Sequence, residues 1–197
     1  MFVNSYMTKN PVTISAKTAV RDAFFLLKKY GFRQFPVVEE GRLVGIVTDR
    51  DLRTAIFRPE LKVEDIMTLN PLTVKENERL ESAILKLREN KFNALPVVSE
   101  NGELCGIITV TDVLDALIEL LGSREASERF RVEISSSFPV PLWEIVKTVE
   151  QHGGEVLSIL SERKDKKSYY ICLKGGDFQG VLKELEEKGV VVKHIEI

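Results

Sequence analysis

Hydrophobic positions along the first two-thirds of the chain follow two alternating rhythms. Val20, Ala23, Phe24 and Leu27 keep the i, i+3, i+4, i+7 spacing of a helix with one buried face, and so do Leu80, Ala83, Ile84 and Leu87. After each stripe come two short runs rich in β-branched residues: 35–38 and 43–47 around Glu40-Gly41, then 95–98 and 104–108 around Asn101-Gly102. Each pair predicts a hairpin, and Asn-Gly is a strong turn signal. A second helix is predicted after each hairpin, on Leu52, Ala55 and Ile56 in one copy and on Leu114, Leu117, Ile118 and Leu121 in the other. Ahead of each first helix, residues 11–14 (PVTI) and 71–74 (PLTV) read as extended, because β-branched residues favour strands and residues preceding proline avoid helix.

The rhythm is a repeat. Met7, Pro11 and Thr13 recur sixty positions later as Met67, Pro71 and Thr73, and Pro36-Val37-Val38 recurs as Pro96-Val97-Val98. One residue is inserted between EEGR and SENGE, a turn, where insertion is tolerated. The offset is then sixty-one through Gly45/Gly106, Thr48/Thr109 and Asp51/Asp112. Each unit is β-α-β-β-α. One such unit buries too little surface to stand comfortably alone. Two packed together form a larger core and a cleft between them.

The motifs Met-Thr-Lys-Asn-Pro-Val-Thr and Met-Thr-Leu-Asn-Pro-Leu-Thr, Phe-Pro-Val-Val and Leu-Pro-Val-Val, and Gly-Ile-Val-Thr-Asp-Arg-Asp-Leu with its second copy occur in the same order at matching spacing. In this the chain resembles tandem CBS domains, the pair known as a Bateman module, over residues 6 to 118. Domain boundaries are expected at 1–60 and 61–122, with a polar linker at 123–128 and a third domain at 129–197.

Thr-x-x-Asp has two readings. It is a capping-box pattern, in which Thr48 accepts from the Asp51 backbone N–H while Asp51 reaches back. It also places a hydroxyl and a carboxylate at a helix start, where N–H groups favour phosphate and a carboxylate can accept from both ribose hydroxyls. The resemblance implies the second use as well. By it, Asp51 and Asp112 bind ribose, with Thr48 and Thr109 as partners. Thr13, Ile14, Thr73 and Val74 line the adenine pocket, and Phe35, Pro36, Val37, Leu95, Pro96 and Val97 form its other wall. The ligand so implied is an adenine nucleotide (AMP, ADP, ATP) or S-adenosylmethionine, with no cofactor required. The copies differ in charge: Arg33, Arg50 and Arg53 stand where the second has Asn93, Thr111 and Leu114. Phosphate favours forked, permanent cations, so the first copy is better equipped.

The C-terminal third changes rhythm. Phe130, Val132 and Ile134 alternate as a strand, and Leu142, Ile145, Val146 and Val149 form a helix stripe. Strands at 156–160 and 169–173 flank a charged turn at 162–167; a helix on Phe178, Val181, Leu182 and Leu185 and a strand at 190–197 follow. The order βαββαβ is ferredoxin-like. After a CBS pair it resembles an ACT domain, which implies a regulatory module that binds an amino acid or pairs between chains. Residues 135–141 (SSSFPVP) lack the Asp and Gly of that family's ligand-docking turn. The overall class is α+β, and the layout resembles the acetoin-utilisation protein B-like family.

Composition removes several function classes. The 197 residues carry a formal net charge of −2 with both signs interspersed, unlike a dedicated nucleic-acid binder. Cys105 and Cys172 sit in apolar runs and read as small core residues, while His152 and His194 stand far apart, so no metal spacing is present. No nucleophile with a paired base and no phosphate loop is found, and 175–180 (GGDFQG) lacks the spacing of one. No apolar run of about 18 residues and no N-terminal apolar region occur, which predicts a cytoplasmic protein. The expectation is a non-enzymatic sensor, a homodimer acting on an unidentified regulated protein. The alternatives are a dimerisation scaffold with degenerate sites and an amino-acid sensor acting through the ACT-like domain.

Overall fold

The computed structural model describes residues 1–122, 128–133, 140–162 and 165–195. They fall into two compact units, Met1–Leu114 and Asp115–Ile197. The first repeat runs β1 (Thr8–Lys9), α1 (Val20–Tyr30), β2 (Gln34–Glu39), β3 (Arg42–Thr48) and α2 (Asp49–Ala55). The second runs β4 (Thr68–Leu69), β5 (Val74–Lys75), α3 (Leu80–Asn90), β6 (Ala94–Val98), β7 (Leu104–Thr109) and α4 (Val110–Leu120). The predicted stripes are the buried faces: Val20, Ala23 and Leu27 in α1, and Leu80, Ala83 and Leu87 in α3. Phe35, Val37, Val47, Leu52 and Ala55 complete the core beside α1. Each large side chain fully buried there contributes about 1.5–3 kcal/mol.

The sequence does not reveal what the start of each repeat does. The two-residue strand that opens each repeat joins the other repeat's hairpin. Thr8 and Lys9 of β1 pair antiparallel with Ile107 and Gly106 of β7, and Leu69 and Thr68 of β4 with Gly45 and Ile46 of β3. The residues just ahead of these strands cross as well: the Val3 N–H donates to the Glu78 carbonyl, and the Val63 N–H to the Thr18 carbonyl, both at 2.9 Å. Val3 and Val63 are fully buried. The stretches read as extended are only partly sheet. Ile14 makes a single parallel bridge to Val37, and β5 pairs in parallel with β6. The crossing explains two recurring residues. A Cβ on Gly45 would lie 2.7 Å from Met67 Sδ and 3.0 Å from the Thr68 carbonyl oxygen, and a Cβ on Gly106 would collide with Met7 Sδ. Glycine in the hairpin lets the exchanged strand approach.

The second unit contains β8 (Glu128–Glu133), α5 (Leu142–Gln151), β9 (Glu155–Glu162), β10 (Asp165–Lys174), α6 (Phe178–Glu187) and β11 (Val191–Ile195). The sheet order is β11-β8-β10-β9 with antiparallel pairings. Ile145, Val149, Ile171, Leu173, Val181 and Leu185 form its core. The βαββαβ order is the predicted one. β9 and β10 reach further into the charged segment than expected, to Glu162 and from Asp165, because antiparallel pairing is made by the backbone and does not require an apolar pattern. Asp177 caps α6, accepting from the Gly180 N–H at 3.0 Å. Residues 123–127 of the expected linker, Ile134 of the expected strand and 135–139 of the 135–141 stretch lie outside the described residues. Cys172 is buried as expected. Cys105 is only half-buried, since the register shift beside Gly106 turns it out of the core, and burial still pushes its thiol pKa up. Among the described residues, no helix is long and apolar enough to cross a membrane.

Candidate ligand cleft between the repeats

Both Thr-x-x-Asp motifs are helix caps. At the start of α2, Thr48 Oγ1 accepts from the Asp51 N–H at 3.3 Å, and Asp51 Oδ2 accepts from the Thr48 N–H at 2.9 Å and from the Thr48 hydroxyl at 2.6 Å. At α4, Asp112 Oδ2 accepts from the Thr109 N–H at 2.7 Å and Thr109 Oγ1 accepts from the Asp112 N–H at 3.1 Å. Each aspartate commits one oxygen to its cap. Among the described residues, Oδ1 of each accepts no hydrogen bond.

A cavity of about 480 Å³ opens where the two repeats meet. The first repeat supplies Arg33, Gln34, Thr48, Asp49 and Arg50, and the second supplies Lys91, Phe92 and Asn93. Asp49 is ion-paired to Lys28 at 3.0 Å and to Arg53 at 2.6 Å. The Lys28 ammonium, and after it the Arg53 guanidinium, hold its carboxyl below the usual carboxylate range. Gln34 Nε2 is buried and has no hydrogen-bond partner among the described residues. A second groove of about 390 Å³, on the second repeat, is lined by Ile84, Leu87, Val110, Val113 and Phe92 with Arg88, Lys91 and Asn93.

The residues singled out from sequence therefore separate. Arg33, Thr48 and Arg50 share the cavity; Asp51, Thr109 and Asp112 are not part of its lining. Ile14, Phe35, Val37, Val74, Leu95 and Val97 are core residues, each at most 7% exposed. Pro36 and Pro96 are buried with them, Thr13 is exposed, and Thr73 is half-buried with its carbonyl accepting from Lys86 Nζ at 3.3 Å. Gln34, Asp49, Lys91 and Phe92 were missed, and Asn93 was noted only as the counterpart of Arg33. Their common signal is position, next to a marked residue or across the repeat from one.

Among the described residues no group of three or more His, Cys, Asp or Glu is placed to hold a metal. The fold of this part of the chain has counterparts among known proteins. The CBS domain pattern matches residues 3–58 and 63–119. The chain belongs to the CBS domain family. The CBS pair resembles CBSX2 solved with AMP, at 34% identity and a TM-score of 0.58, covering 61% of this chain and 98% of that one. It resembles the CBS pair of protein MJ0100 solved with 5'-methylthioadenosine and S-adenosylmethionine, at 28% identity and a TM-score of 0.55, covering 64% and 98%. A Vibrio cholerae protein described as AcuB, for acetoin utilization, matches at 29% identity and a TM-score of 0.57, covering 63% and 95%. Among curated relatives, an inosine-5'-monophosphate dehydrogenase of Korarchaeum cryptofilum is 36% identical over 128 residues, 65% of this chain, and the chain spans 27% of that protein's length.

Proposed function

We propose that the chain is a non-enzymatic regulator whose CBS pair binds an adenosyl ligand in the cleft between its repeats. The observation that carries this reading is the convergence of Arg33, Thr48 and Arg50 from one repeat with Lys91 from the other on one cavity. Asp51, at the cap of the same helix, keeps one carboxylate oxygen for ribose hydroxyls. The relatives solved with AMP and with S-adenosylmethionine support the ligand class. The C-terminal unit, read as ACT-like on its βαββαβ order, relays the bound state to a regulated protein. Exposed apolar residues, among them Phe25 on α1, Phe57 just after α2 and Leu114 on α4, favour a homodimer. Titration calorimetry of the full chain with AMP, ADP, ATP and S-adenosylmethionine tests the reading. Binding that weakens in Asp51→Ala supports it, and no heat with any of the four, together with no melting shift, overturns it.

A further inference from the structure

We propose that this cleft selects adenosine polyphosphates, ATP and ADP, over S-adenosylmethionine, takes one per chain, and owes that selectivity to Lys91 and Gln34. The proposal rests on the adenosyl reading of the cleft and names the charge class of its ligand. Relatives solved with AMP and with S-adenosylmethionine leave that class open.

The charge lining the cavity decides it. Arg33, Arg50 and Lys91 are cations with no ion-pair partner among the described residues. The cavity's one carboxylate, Asp49, is already compensated by Lys28 and Arg53. The lining is therefore net positive. S-adenosylmethionine brings a sulfonium and an ammonium against one carboxylate, and like charge is repelled. A polyphosphate brings several acceptor oxygens and negative charge, which guanidinium and ammonium donors bind strongly.

Two residues sharpen the choice. Gln34 lines the cavity, and its buried Nε2 has no partner among the described residues; turned toward the cavity, that amide donates to a phosphate oxygen and has nothing to offer a sulfonium or ammonium. Its counterpart in the other repeat is Ala94, which offers no side-chain donor. Lys91 sits at the C-cap of α3 with φ of 56°, in the left-handed region that disfavours any side chain. The matching residue after α1 is Gly31 at φ 69°. The turn alone is better served by glycine, so the lysine side chain answers to the cavity it lines.

The second repeat lacks the matching cations. Asn93, Thr111 and Val110 replace Arg33, Arg50 and Asp49, and the groove beside them is mostly apolar. One polyanion per chain follows.

Calorimetry of the full chain at fixed ionic strength, with ATP, ADP, AMP and S-adenosylmethionine as free compounds, tests this. The expected result is ATP bound at least about tenfold tighter than S-adenosylmethionine, at one per chain. Lys91→Gly should weaken ATP about tenfold while the melting temperature holds or rises. Lys91→Gln and Gln34→Leu should narrow the ATP preference without unfolding the chain. S-adenosylmethionine binding as tightly as ATP, two ATP per chain, or wild-type ATP affinity in folded Lys91→Gly would each overturn the proposal. Binding of none of the compounds overturns the adenosyl reading beneath it instead.

Discussion

Asp51 works on two fronts with two oxygens. Oδ2 closes the cap on α2, while Oδ1 is uncommitted among the described residues. Thr48→Ala removes the cap acceptor and should cost about 1 kcal/mol in a urea melt. Asp51→Ala should cost a similar amount and weaken the nucleotide too; a variant that lost stability but bound normally would confine Asp51 to the cap. Asp49 sets a pH dependence. Lys28 and Arg53 depress its folded pKa below the unfolded value of about 3.9. Its contribution is therefore complete above that pH and fades as pH falls through the depressed folded value. Lys28→Met should shrink the stability difference between pH 6 and pH 3, read by denaturant midpoints. At this scale the caps were legible, because Thr-x-x-Asp is a local pattern. Gln34 and Lys91 were not, because the cavity they line is completed by the other repeat and no local spacing names it.

The hairpins and the helices α1 and α3 follow from local patterning, and the structure keeps them where alternation and the 3.6 period put them. The exchanged strands do not. Thr8–Lys9 and Thr68–Leu69 are two exposed residues each, too short to show a period. Recurrence of Met7/Met67 and Gly45/Gly106 marked a repeat, yet the same sequence is compatible with each strand serving its own half. The exchange sets a methionine sulfur over a glycine in each half. Gly45→Ala should therefore destabilise the CBS pair by about 1–3 kcal/mol, as overpacking does, measured by urea denaturation. Met67→Ala should lose stability alone but recover part of the Gly45→Ala loss in the double variant, because the two changes meet at one contact. Strict additivity would remove the methionine from the explanation.

At the scale of the molecule, α4 belongs to both units. It starts at the Thr109–Asp112 cap, and past its end the Leu121 carbonyl accepts from Ser158 Oγ of β9 at 2.8 Å. Gly122 follows in the left-handed conformation, φ 68°, where a Cβ would lie 2.8 Å from Leu157 Cβ. The proposed relay requires that ligand affinity differ between two states of the chain. The relay reading predicts a specific pattern in hydrogen exchange. Saturating ATP at about a hundred times its Kd adds about 2.7 kcal/mol to the unit that binds it. Residues 1–114 should gain protection, and so should α4 and β9 beyond the unit boundary. Ser158→Ala should leave ATP affinity unchanged yet remove the gain in β9. Protection confined to residues 1–114 in the unmodified chain would instead mean that the CBS pair senses its ligand without informing the C-terminal unit.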